Sequence, residues 1–182
     1  MSSNRKTDNS FLPEKINLRI DCLKNINKKH IKILECFSGN GIIYSVIKKI
    51  NNRINVTRIE KKNDAYGKYL CGDNIKYLKS LDLNDYDVID LDAYGIPDKQ
   101  LKIVLDRGYH GYVIVTHIQS VLRTLPFGIV KEIGITENMF NKCTTMYGKL
   151  RTIPIESILR NYGCKKITGY FFNCKNYFYC EI

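Results

Sequence analysis

Leu34-Glu35-Cys36-Phe37-Ser38-Gly39-Asn40-Gly41 is the stretch on which the reading of this sequence turns. It follows Ile31-Lys32-Ile33, and the run from Ile31 to Phe37 is short and β-branched at its start, as a strand requires. Gly39-Asn40-Gly41 then breaks the strand, and Ile42 to Lys49 continues as a helix. Glycines let a backbone turn sharply and approach a ligand closely, and a helix start offers free N–H groups. Gly-x-Gly alone also fits an ordinary turn. Glu35, six positions before Gly41, sharpens the signal: it can face the cationic end of a ligand, or cap a charged rim.

Working outward, strands and helices alternate. Asn55 to Glu60 reads as a second strand, Tyr69 to Cys71 as a weak third, and Tyr86 to Asp92 as a fourth. Gly111 to Thr116 is a fifth. Helices fit Asn74 to Leu81 and Asp98 to Arg107, the latter capped by Asp98 and closed by Gly108. This rhythm predicts an α/β fold with a parallel sheet. Residues 117 to 150 read as irregular, and a helix restarts after Pro154. Lys166 to Phe172 and Asn176 to Glu181 are close enough to form a hairpin, so the sheet is expected to finish antiparallel. Ile16 to Ile26 suits a helix, although its spacing is ambiguous. The expected organisation is a flexible basic arm over 1–15 and a single domain over 16–182.

In an open parallel sheet, ligands bind beyond the carboxyl ends of the strands, where strand order reverses. Three further strand ends carry suggestive residues. Glu60 lies 19 residues beyond Gly41, where an acid can accept from both ribose hydroxyls; otherwise it is a solvated neighbour of Lys61. Gly72-Asp73-Asn74 follows the third strand, and Asp73 can accept from an adenine amine or cap the next helix. Asp90-Leu91-Asp92-Ala93-Tyr94-Gly95 leaves the fourth strand. Asp90 and Asp92 should share one face. Asp92, nearer the strand end, is the better catalytic candidate, and a buried structural pair is the competing account.

These four segments, in this order, resemble the class I S-adenosylmethionine-dependent methyltransferases over roughly residues 31 to 182. The resemblance implies a Rossmann-like sheet of about seven strands with an antiparallel last strand. It also implies S-adenosylmethionine as cofactor, with no metal. The cofactor loop then falls on Glu35, Phe37, Gly39 and Gly41, the ribose acid on Glu60, and the adenine contact on Asp73 with Asn74. Asp92 and Tyr94 take the catalytic-motif positions. Val88-Ile89-Asp90-Leu91 before them and Ile96-Pro97 after them look like the Asp-Pro-Phe-Gly pattern of tRNA guanine-N2 methyltransferases. Alanine replaces the proline, whose fixed φ would stiffen the loop.

The formal charge of +11, from 29 basic and 18 acidic residues, favours a polyanionic partner. Nucleic acid is expected, RNA before DNA. His117 to Arg151 reads as a substrate-facing insertion, with Arg123, Lys131, Lys142, Lys149 and Arg151 among Phe127, Phe140 and Tyr147. A solvated loop with packing aromatics fits those residues equally well, and His117 reads as structural. No apolar run approaches the ~20 residues of a membrane helix, and the polar start lacks a secretory core. A cytoplasmic protein is expected. Seven cysteines, with no Cys-x-x-Cys pair, argue against a disulfide framework or a zinc site. A nicotinamide-dependent dehydrogenase would want a third glycine where Tyr44 stands. A methyltransferase acting on protein or a small molecule, and a catalytically inactive methyltransferase fold that binds RNA or a partner, are the alternatives.

Overall fold

The computed structural model describes residues 11–61, 68–118, 127–142, 153–164, 166–172 and 175–182. Seven strands form one sheet: β1 (Ile31–Glu35), β2 (Ile54–Glu60), β3 (Leu70–Cys71), β4 (Val88–Asp92), β5 (Tyr112–Ile118), β6 (Ile167–Phe172) and β7 (Lys175–Glu181). Their order is β3-β2-β1-β4-β5-β7-β6. The first five are parallel, and β7 runs antiparallel between β5 and β6. The order reverses between β1 and β4, so the crevice for a ligand opens beyond Glu35 and Asp92.

Helices α1 (Leu12–Lys24) and α2 (Ile42–Ile50) cover one face of the sheet. Helices α3 (Asn74–Ser80), α4 (Asp98–Asp106) and α7 (Ile153–Asn161) cover the other. Alternation along the strands feeds both layers. Ile31 and Ile33 pack toward α1 and α2, while Leu34 and Cys36 pack toward α3 and α4. Burial of these apolar faces is the main source of stability, at about 25 cal/mol per Å² removed from water. No helix among the described residues is long and apolar enough to cross a membrane.

Two departures from expectation matter for the site. Helix α1 begins at Leu12, with Pro13 in its first turn, so Leu12 to Lys15 are helical where a flexible arm was expected. Residues 1–10 lie outside the described residues. The segment expected to be irregular contains α5 (Phe127–Val130), a 3₁₀ turn (Lys131–Ile133) and α6 (Glu137–Lys142). Elements this short carry no readable period. Phe127 and Phe140 pack ring against ring, centroids 5.4 Å apart and planes tilted by 49°, together with Val130, Ile135 and Ile96. Packing is therefore the role of these two aromatics, while Arg123, Tyr147, Lys149 and Arg151 lie outside the described residues.

Candidate functional site

The glycine turn is built by its own backbone. Gly41 N–H donates to Ser38 O at 2.7 Å, and Ser38 N–H donates to Ile59 O at 3.2 Å, tying the turn to β2. Gly41 has φ +65° and starts α2. A Cβ there would stand 2.6 Å from Cζ of Arg58. The left-handed backbone favours glycine here, and a side chain would also have to displace the Arg58 guanidinium.

Glu60, at the end of β2, accepts from the turn itself. Gly39 N–H donates to Glu60 Oε2 at 2.8 Å, and Lys61 N–H donates to Oε1 at 2.9 Å. Asp73 caps α3, accepting from Ile75 N–H at 2.9 Å. Asn74 donates to Cys36 O at 3.0 Å and accepts from Gln100 at 3.0 Å. It therefore fixes the end of β1 against α3 and α4. Phe37 is half-buried against the same core.

Glu35 is buried beside Arg58, its Oε2 3.4 Å from Arg58 Nε without a hydrogen bond. Burial pushes its carboxyl up to about 8, helped by the charge of Asp90 and opposed by Arg58. Arg58 in turn donates to Gly41 O at 3.2 Å and Ser45 Oγ at 3.1 Å. Glu35 and Arg58 are register partners, and so are Glu35 and Asp90. A row of charges therefore crosses three neighbouring strands beneath the crevice.

Asp90 and Asp92 do share a face, because one guanidinium reaches both. Arg19, wholly buried on α1, grips Asp90 through Nε at 2.7 Å and Nη2 at 2.9 Å. Its Nη2 lies 3.5 Å from Asp92 Oδ2. Tyr44 donates its hydroxyl proton to Asp90 Oδ2 at 2.7 Å. The residue standing in place of a third glycine is thus a buried partner of Asp90. Lys15 Nζ sits 3.0 Å from Asp92 Oδ1 and 3.1 Å from Oδ2. Asp90 is fully buried and structural, whereas the Asp92 side chain is 10% exposed at the strand end.

Tyr94 is 76% exposed just beyond Asp92. Ala93 N–H donates to Leu91 O at 2.9 Å, a bond that proline could not make. The loop is held by that contact instead of by a ring. His117, on β5, is fully buried against Asn176 at 3.4 Å, and burial lowers it to about 4. It is a neutral residue of the sheet, as the structural reading expects.

Sequence reasoning missed Arg19 and Lys15. The available signal was a matched spacing. Two cations one helical turn apart rise about 6 Å, and two acids at i, i+2 on a strand span about 6.6 Å.

No protein-family model matches the chain, and no curated protein matches it in sequence. Solved structures do match. Trm1 from Pyrococcus horikoshii, in complex with S-adenosyl-L-methionine, superposes with a TM-score of 0.66 at 14% identity, covering 97% of this chain. The chain spans 56% of that protein's length. The plantazolicin methyltransferase BpumL, with S-adenosylhomocysteine, gives 0.58 at 15% identity, covering 98% of this chain and 86% of its own. The CurJ carbon methyltransferase gives 0.52 at 12% identity, covering 90% and 51%. The fold is the Rossmann-like class I methyltransferase fold, as the motifs imply.

Proposed function

We propose that the chain is an S-adenosylmethionine-dependent methyltransferase acting on a base amine of nucleic acid, RNA in preference to DNA. One observation carries the reading. The glycine turn, Glu60 and Asp92 converge at the carboxyl ends of β1, β2 and β4, where the strand order reverses.

The residues present fit the cofactor. Glu35 is a buried carboxylate whose Oε2 lacks a hydrogen bond, as a receptor for an ammonium group would be. Glu60, which accepts from Gly39 and Lys61 N–H groups at the end of β2, is the acid assigned to the ribose hydroxyls. Asp73 with Asn74 lies where the adenine is expected, Asp73 Oδ1 being committed to its cap. Gly39, Gly41 and Phe37 shape the turn around the cofactor. S-adenosylmethionine, when bound, supplies a methyl group already activated on a sulfonium.

The chain then has to orient an amine. Asp92 accepts N–H bonds from the incoming amine, aiming the lone pair and favouring the charge that grows on nitrogen. Tyr94, exposed and adjacent, offers a ring on which an unpaired base can stack. A formal charge of +11 favours association of the chain with a phosphate backbone.

Two measurements test this. Calorimetry should show binding of S-adenosylmethionine and none of NAD. Labelled methyl groups should pass to total RNA and, less well, to DNA. Asp92→Ala should lower transfer by about 100-fold or more with cofactor affinity little changed. A chain that binds no S-adenosylmethionine would end the proposal.

A further inference from the structure

Lys15 stands in a place that neither the glycine turn nor the acid row requires. Its ammonium donates to Asp92 Oδ2 at 3.1 Å and lies 3.0 Å from Oδ1, which has no hydrogen-bond partner among the described residues, and both side chains are nearly buried, at 13% and 10% exposure. It lies 5.7 Å from the centroid of the Tyr177 ring, whose face favours a cation. One turn further along α1, Arg19 donates through Nη1 to the Lys15 carbonyl at 3.0 Å. Arg19 is itself committed to Asp90. The backbone carrying Lys15 is therefore anchored to β4, and only its side chain is left to move.

The position is chemically specific. An ammonium donating to Asp92 makes the same contact that the proposed mechanism gives to the acceptor amine. Arg19 is occupied elsewhere, so among the described residues Lys15 is the cation that Asp92 holds at short range.

We propose that Lys15 is a positioning residue for methyl transfer: it keeps the Asp92 carboxylate ionised and aimed, and yields one oxygen to the acceptor amine while holding the other. This rests on the methyltransferase reading above. The surroundings of Asp92 agree with it. Lys15 and Arg19 face it from α1, Asp90 from its own strand, and Thr116 from β5; Tyr177 of β7 backs Lys15. Beyond Asp90 lie Tyr44 of α2 and Glu35 of β1. Burial pushes the Asp92 carboxyl up, but Arg19 and then Lys15 outweigh it and hold it below the ordinary carboxylate range. Without Lys15, the neighbouring Asp90 charge meets less opposition.

The test uses Lys15→Met, which keeps the length of the side chain and removes its charge, and Lys15→Arg, which keeps the charge. Carboxyl-carbon NMR of Asp92 in the cofactor-free protein reads the electrostatic half. The titration should move up by about one pH unit in Lys15→Met and stay near the wild-type position in Lys15→Arg. The pH profile of kcat/KM for labelled methyl transfer to RNA reads the functional half. Its acid limb should move up with the titration in Lys15→Met and be restored in Lys15→Arg.

An unmoved Asp92 titration in Lys15→Met overturns the proposal, as does an unmoved acid limb when the wild type is active. In both cases the methyltransferase reading survives. A wild-type protein that transfers methyl to neither RNA nor DNA removes the nucleic-acid reading and the role of Lys15 together, whatever the NMR shows.

Discussion

Glu35 is the residue whose environment makes the sharpest demand. Its carboxyl titrates near 8 in the folded chain, against 4.5 ordinarily, because it is buried and close to Asp90. Between those values the folded chain keeps a proton that the unfolded chain releases. The stability contributed is therefore full below about 4.5 and is lost as the pH rises through about 8. Denaturant midpoints should fall across that window in the wild type and less steeply in Glu35→Gln. A cofactor ammonium at Glu35 would favour the ionised form, so binding at pH 7 should release a proton. Calorimetry in buffers of different ionisation enthalpy reads that release, and Glu35→Gln should abolish it. Arg19 makes the complementary case. Its removal leaves Asp90 buried with Tyr44 as the one hydrogen-bond donor among the described residues. Arg19→Met should cost about 3–5 kcal/mol in chemical denaturation, part of it recovered by adding Asp90→Leu. Glu35, Glu60 and Asp92 were legible because chain spacing alone places acids at strand ends. Arg19 and Lys15 were not, because their partners lie 71 and 77 residues away.

At the scale of elements, the glycine turn shows how much a short motif fixes. Gly39 has φ +51° with open space at its Cβ position, whereas Gly41 has φ +65° and Arg58 against it. Gly39→Ala should cost only the left-handed backbone penalty, about 1–2 kcal/mol. Gly41→Ala should cost more and weaken S-adenosylmethionine binding more strongly, since the Arg58 guanidinium must move. Thermal melts and calorimetry on the two variants test that order. Strands β1, β2, β4 and β5 were readable because each is rich in β-branched apolar residues, in part alternating with polar ones, and is bounded by a turn. The two-residue β3 was weak in sequence for want of length. Helix α1 was ambiguous because its buried face carries Arg19 beside Leu18, Cys22 and Leu23, which breaks the apolar stripe from which helices are read.

At the scale of the whole molecule, alternation of strands and helices gave the parallel sheet, and two adjacent strand-like runs gave its antiparallel end. The placement of β7 beside β5 was beyond local pattern, since that pairing joins residues far apart in the chain. Charge belongs to this scale as well. RNA binding by the basic chain should weaken linearly in log–log form as salt rises, with a slope that counts the phosphates engaged. A salt-independent affinity would point to a small-molecule acceptor instead.

The place of β7 also orders events in time. It is the last of the seven strands in the chain, and among the described residues β6 pairs with no other strand. β6 is therefore expected to join the sheet together with it, as a hairpin. Tyr177, the ring beneath Lys15, arrives on that same strand. Helix α1, synthesised first, meets its final support last, so a nascent chain can hold every residue of the cofactor turn and still lack a finished site.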